Sequence, residues 1–247
     1  MKIPILQHLL DIIYPPRCHI CQDFIEEDIN QHNWICLKCS HSFKKISSPY
    51  CLICRTPFAS LSEDNHLCED CLRHPPAYEA LAAPYLYEGE ILQAIHQLKY
   101  SGKTHLAQSL GSLLYLFALE WFGERKGFIL IPIPLHPKRL RERGFNQSLL
   151  LAKEVARQLD MEVDFLSLRR KRYTEPQINL KFNERKKNVK NAFEVREKRS
   201  MKGRTVILLD DVATTGSTMN ECAQTLKRAG CKEVYGLVLA RTAGKYL

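Results

Sequence analysis

Val206-Ile207-Leu208-Leu209-Asp210-Asp211-Val212-Ala213-Thr214-Thr215-Gly216-Ser217-Thr218 is the stretch whose reading decides the fold. Its apolar opening has the composition of a strand buried on both faces, the kind found in parallel sheets. The strand ends in two carboxylates, after which small hydroxyl residues and a glycine lead into a helix over 219–229, closed by Gly230. N–H groups freed at a helix start, with the hydroxyls of Thr214, Thr215, Ser217 and Thr218, make a cradle for a phosphate. Gly216 lets the backbone come close to it. Carboxylates repel a phosphate, so Asp210 and Asp211 are expected to face sugar hydroxyls or a magnesium ion. The plainer reading is an acidic helix cap, for which one Asx or Ser residue suffices. No lysine follows the glycine and no G-x-G-x-x-G is present, which argues against ordinary ATP or dinucleotide binding.

On both sides of this segment strand and helix patterns alternate. Residues 80–87 read as extended, 90–98 as a helix with Ile91, Ile95 and Leu98 on one face, and 105–122 as a further helix. A buried strand over 128–134, a helix over 147–159, the strand 204–209 and a last strand over 233–240 complete the series. The alternation predicts an α/β fold, a mostly parallel sheet flanked by helices. Ligands in that architecture sit at the carboxyl ends of the strands.

Eight of the ten cysteines lie between Cys18 and Cys71. They form four C-x-x-C knuckles, Cys18 and Cys21, Cys36 and Cys39, Cys51 and Cys54, Cys68 and Cys71, separated by 14, 11 and 13 residues. Two residues between ligands let both sulfurs of a tight turn reach one tetrahedral ion at about 2.3 Å, and two such turns close a structural zinc site. Four knuckles imply two structural Zn²⁺. Neighbouring knuckles pair naturally, an interleaved pairing is also compatible with the spacing, and His19, His41 and His66 lie near enough to substitute. A disulfide-stapled knot calls for a secreted setting that nothing here indicates. Cys222 and Cys231 stand apart and are expected to be buried apolar residues. His74-Pro75-Pro76 reads as a linker, dividing a zinc-ribbon head at 1–76 from a body at 77–247.

Gln7, His8 and Asp11 interrupt the apolar N-terminus, so residues 1–14 read as a short amphipathic helix rather than a signal or a membrane span. No other stretch reaches the roughly 20 apolar residues of a spanning helix, and a cytoplasmic protein is expected. Thiols there are reduced and available as ligands.

The formal charge of +9 is unevenly spread. Residues 125–204 carry 22 Lys and Arg against 9 Asp and Glu, whereas the chain before them carries 9 against 14. Such a middle suits polyphosphate or nucleic acid, the alternative being a solvated basic surface. Two stretches concentrate it: Pro132-Ile133-Pro134-Leu135-His136-Pro137-Lys138-Arg139-Leu140-Arg141-Glu142-Arg143-Gly144-Phe145-Asn146-Gln147, and Arg169-Arg170-Lys171-Arg172-Tyr173-Thr174-Glu175-Pro176-Gln177, continuing over 183–189.

With these segments in hand, 206–218 resembles the binding signature for 5-phosphoribosyl 1-pyrophosphate (PRPP) of type I phosphoribosyltransferases. The resemblance implies that Asp210 and Asp211 hold the ribose 2′ and 3′ hydroxyls while Ala213, Thr214, Thr215, Gly216, Ser217 and Thr218 hold the 5′-phosphate. Ala213 is smaller than the aliphatic residue often found there. The first basic stretch then corresponds to a pyrophosphate loop and the second to a mobile catalytic loop. With the cysteine head in front, the whole chain resembles the ComF family, called ComFC in some members, whose role is in natural transformation. Two readings follow. In one, PRPP binds with Mg²⁺ and a nucleophile displaces pyrophosphate at the anomeric carbon, Lys138, Arg139, Arg170 and Arg172 stabilising its departure. In the other, a non-catalytic adaptor keeps the phosphate site and hands single-stranded DNA to DNA-uptake or recombination proteins. For that role Phe145, Tyr173 and Phe182 are interspersed among the cations for base stacking, although Phe145 and Phe182 also suit a core.

Overall fold

The computed structural model describes residues 14–25, 34–59, 64–123, 127–174, 188–197 and 201–244. The head contributes two short helices, α1 (Leu37–His41) and α2 (Glu69–Arg73). Then follow β1 (Leu81–Ala82), β2 (Tyr85–Leu86), α3 (Gly89–Tyr100), α4 (Leu106–Phe122), β3 (Phe128–Pro132), α5 (Pro137–Arg143) and α6 (Gln147–Leu159). The chain continues through β4 (Glu162–Val163), β5 (Leu168–Arg170), β6 (Phe193–Val195), β7 (Thr205–Ala213), α7 (Ser217–Arg228) and β8 (Glu233–Arg241).

The main sheet runs β1-β8-β7-β3-β4, with β2 also paired to β8, and every pairing in it is parallel. β5 and β6 form a separate antiparallel pair. β7 lies at the centre, and alternate residues of it serve opposite faces, which is why its apolar run is unbroken. Ile207 and Leu209 pack with Ile91, Ile95, Leu110 and Leu151 of α3, α4 and α6. Val206 and Leu208 pack with Met219, Cys222 and Leu226 of α7. α4 and α6 approach closely at Gly111, where a Cβ would come within 2.6 Å of the Glu154 side chain.

Several elements differ in extent from the sequence reading. β7 does not stop at Leu209: its pairing with β8 continues through Asp210↔Val238 to Ala213↔Arg241 and carries both acids within the strand. α7 starts at Ser217 rather than Met219, because Gly216 (φ 72°) already turns the chain into the helix. The extended stretch 80–87 is two strands parted by Pro84, which has no N–H to give a ladder, and β3 ends at Pro132. α5 was not anticipated, since none of its residues is buried and no apolar period marks it. Pro137 at its first position and His136 Nδ1, which accepts from the Lys138 N–H at 3.2 Å, start it.

The head packs on the body. Ile46 N–H donates to the Pro84 carbonyl, Leu86 N–H to Lys44 and Leu81 N–H to Ile53, at 2.7–2.8 Å. Cys222 and Cys231 are buried, as expected of apolar residues. The helix expected over 1–14 lies, apart from Tyr14, outside the described residues. Among the described residues no helix is long and apolar enough to cross a membrane.

Candidate functional site

From β3 the chain crosses through α6 to β4 on one side, and from β7 it crosses through α7 to β8 on the other. The strand order therefore reverses between β3 and β7, and their carboxyl-end loops, 133–136 and 214–216, open the crevice where such sheets bind ligands. The basic stretch and the hydroxyl-rich loop, far apart in sequence, follow adjacent strands here.

β7 runs on through the two acids, and each finds its own partners. Asp211 is 2% exposed, ion-paired with Lys99 at the end of α3, and accepts from Gln147 Nε2 at 3.1 Å. Burial disfavours its charge, but Lys99 and the hydrogen bonds from Lys99 and Gln147 hold its carboxyl below the usual carboxylate range. Asp210 accepts from Ser148 Oγ at 2.7 Å and from the Asp211 N–H at 2.9 Å. Burial and the adjacent Asp211 charge push its carboxyl up to about 7. Near neutrality one carboxylate is committed to the protein and the other changes charge readily.

The loop after β7 is held from both sides. Thr215 Oγ1 lies 2.7 Å from Ser217 Oγ and accepts from the Ser217 N–H at 3.3 Å. The Thr242 N–H donates to the Ala213 carbonyl at 3.1 Å, and Thr242 Oγ1 to the Thr214 carbonyl at 3.3 Å. At Gly216 the backbone is left-handed, and a Cβ there would lie 3.2 Å from the Tyr78 hydroxyl. Asp210, Thr214, Gly216, Ser217 and Thr218 line one small hollow together with Ala213.

Facing them, Gly144 (φ 83°) ends α5 and Asn146 caps α6, donating to the Ile133 carbonyl at 3.1 Å while its Oδ1 accepts from the Ser148 N–H at 3.0 Å. This turn delivers Gln147 and Ser148 to the acids. Lys138 and Arg139 stand on α5, with Lys138 Nζ 4.8 Å over the Tyr173 ring. Arg170, at the end of β5, bonds Thr174 and lies 5.3 Å over Phe193. Burial lowers its pKa, and the Asp210 carboxylate is among the charges that counter this. Arg172 is turned elsewhere: its Nη2 donates to the Asn188 and Lys190 carbonyls at 2.8 and 2.7 Å. Residues 175–187, Phe182 among them, lie outside the described residues. Phe145 packs half-buried against the core.

Lys99 and Arg143 were not singled out from the sequence. Arg143 bonds Gln147, and burial lowers its pKa against the pull of nearby groups that include both acids. A signal for Lys99 existed, since Lys99-Tyr100-Ser101-Gly102-Lys103 puts two cations around a turn directly after an amphipathic helix.

The cysteines gather as two consecutive groups, Cys18, Cys21, Cys36 and Cys39, and Cys51, Cys54, Cys68 and Cys71, with the ligand atoms of each within 4.8 Å of one another. This resolves the pairing left open by spacing. Backbone N–H groups of Ile20 and Cys36 point at Cys18 Sγ, and those of Cys54 and Cys68 at Cys51 Sγ, at 3.4–3.5 Å, as around thiolates. His19 Nδ1 instead meets Ser109 Oγ at 3.0 Å and His66 Nδ1 the Asp64 carbonyl at 3.1 Å, while His41 is in neither group. Two closed sets of four sulfurs fit structural zinc and leave no position for a catalytic water.

Compared with known proteins, residues 9–72 match the double zinc ribbon domain and residues 146–247 the phosphoribosyl transferase domain. The chain is 36% identical to the DNA utilization protein YhgH of Escherichia coli over 215 residues, covering 85% of this chain and 92% of that protein. It is 31% identical to competence protein F of Haemophilus influenzae, over 85% of this chain and 91% of that one. With competence protein ComFC of Bacillus subtilis the identity is 25%, over 86% and 89%.

Proposed function

Given that the chain belongs to the ComF family, with the DNA utilization protein YhgH and competence protein F among its relatives, we propose that it binds PRPP with Mg²⁺ and acts in DNA uptake and natural transformation. The observation that carries this reading is that the hydroxyl-rich loop after β7 and the basic loop after β3 leave neighbouring strands at the point where strand order reverses. In it Ala213, Thr214, Thr215, Gly216, Ser217 and Thr218 hold the 5′-phosphate, and Asp210 accepts from the ribose hydroxyls. Asp211 keeps Lys99 in place. Mg²⁺ bound with the pyrophosphate would supply positive charge to the leaving group. Lys138, Arg139 and Arg170 supply cations on the same side, and Arg172 ties the chain at 188–190 to the stretch after β5. The head (1–76) and the body (77–247) are read as separate units joined at the prolines, in a cytoplasmic protein.

A second reading, the DNA-handling adaptor, is favoured by Tyr173, which is 37% exposed with Lys138 Nζ over its ring and the His136 ring edge-on to it, an aromatic surface beside a cation suited to a stacked base. Incubating the protein with PRPP, Mg²⁺ and a panel of nitrogen nucleophiles separates the two. The transferase reading expects pyrophosphate release that depends on one acceptor class. Absence of release throughout, with salt-dependent binding of single-stranded DNA, supports the adaptor instead.

A further inference from the structure

Arg241 is the last residue of β8, is 5% exposed, and is in no ion pair among the described residues. Its Nε and Nη2 both donate to Thr56 Oγ1, at 3.0 and 2.5 Å, and its Nη1 has no partner. A guanidinium so buried requires a compensating negative charge. The candidate is the second cysteine group: the Thr56 hydroxyl that accepts from Arg241 lies 3.0 Å from Cys54 Sγ. Four thiolates on a dication leave a net negative centre, which is the counter-charge that Arg241 otherwise lacks.

On its other side Arg241 leads straight into the loop. The next residue, Thr242, bonds the carbonyls of Ala213 and Thr214, and the β8 backbone is paired with Ala213 in register. Tyr78, buried beside the same loop at Gly216, is within electrostatic range of both Arg241 and Cys54. A continuous line thus runs Cys54, Thr56, Arg241, Thr242, Thr214.

We propose that Arg241 is a positioning residue that couples zinc in the second ribbon to the shape of the phosphate loop. The charge of the loaded zinc centre fixes Arg241 through Thr56, and Arg241 fixes the end of β8 on which the loop hangs. By linkage the coupling is reciprocal: zinc in the second ribbon favours ligand at the loop, and ligand at the loop favours zinc retention by the same factor. The ligand half of this inference rests on the proposed PRPP binding; the structural half does not.

The test uses the full-length, zinc-loaded protein and three variants, Arg241→Met, Thr56→Val and Arg55→Met. Arg55 is a control, being a buried guanidinium of the same ribbon that stacks on Tyr50 and has no bond to the loop. Two readouts are taken at equal zinc content: amide hydrogen exchange over 213–218, and PRPP–Mg²⁺ affinity. The coupling predicts faster exchange and on the order of tenfold weaker PRPP binding in Arg241→Met and Thr56→Val, within the range typical of coupled sites, and neither change in Arg55→Met. If Arg241→Met fails to fold, Thr56→Val decides. Exchange over 213–218 that is unchanged in Thr56→Val, or accelerated equally in Arg55→Met, overturns the coupling. Should the wild type bind no PRPP, the functional reading falls while the exchange data still decide the coupling.

Discussion

The two zinc ribbons have nearly the same internal spacing, 14 and 13 residues between their knuckles, and quite different surroundings. In the first, Cys21 is exposed and Cys36 half-buried, and the ribbon leans on α4 through the His19 ring, which meets Ser109 and lies 4.5 Å from the His105 ring. Its Ile20, Ile25 and Ile35 extend the main core. In the second, all four cysteines are buried in a small cluster of their own, and besides the Leu81–Ile53 backbone bond an outward contact passes through Thr56 to Arg241 at the candidate site. A repeated ligand pattern specifies two metal centres of one kind. What each centre does for the protein is set by the residues around it.

The largest effect expected from breaking this comparison is loss of a ligand. Metal analysis should find two zinc ions in the wild type and about one in either Cys18→Ser or Cys68→Ser, since a structural site rarely survives an absent thiolate. The variants should then part company, with Cys68→Ser losing PRPP affinity and Cys18→Ser keeping it. Equal loss in both would show that the ribbons act alike.

Next in size is Lys99→Met, which disturbs the site without touching either ribbon. It strands Asp211 as an unpaired buried carboxylate and should lower stability by about 3–5 kcal/mol in denaturant titration, with both zinc ions retained. Adding Asp211→Asn should recover part of that loss. A Lys99→Met protein as stable as wild type would mean that the pair is not formed.

A smaller, pH-dependent effect belongs to Asp210. Its folded pKa of about 7 lies above the ordinary carboxylate value, so the stability it contributes is complete below roughly pH 4 and is lost as pH rises through 7. Asp210→Asn should therefore gain stability relative to wild type at alkaline pH and not at acid pH. Sugar binding needs the ionised acceptor, so wild-type PRPP affinity should rise by about tenfold between pH 6 and 8, beyond any rise that Asp210→Asn shows from the ligand's own phosphates. Parallel curves for the two proteins would contradict this assignment. Smallest of all is Cys231→Ala, outside both ribbons, which should cost about 1 kcal/mol or less and leave the zinc content unchanged.

Much of this architecture is legible in local pattern. The apolar run at 206–209 announces a central parallel strand, and the boundaries of α6 are those that its spacing predicts. The zinc ligands are legible because C-x-x-C is a chemical requirement confined to a few residues. Residues that act by tertiary approach left weaker traces. Lys99 reaches Asp211 across more than a hundred residues, and nothing around Arg241 in sequence marks it as a buried charge beside a metal centre. α5 escaped because a helix with no buried face has no apolar period to read. The separate duties of Asp210 and Asp211 come from partners distant in sequence, Ser148 for the one and Lys99 and Gln147 for the other, which the acids themselves do not announce.

The central claim is that 210–218 is a ligand site with a use for each of its residue types. Calorimetric titration of PRPP with Mg²⁺ into the wild type, Asp210→Ala and Gly216→Val tests it most directly. Asp210→Ala leaves the Lys99–Asp211 pair in place and removes a sugar contact, and should weaken binding by roughly tenfold to a hundredfold, or about 1–3 kcal/mol. Gly216→Val forces a β-branched residue into a left-handed turn against Tyr78 and should abolish the binding. No heat of binding to the folded wild type at millimolar PRPP, or variants that bind as tightly as it does, would contradict the account.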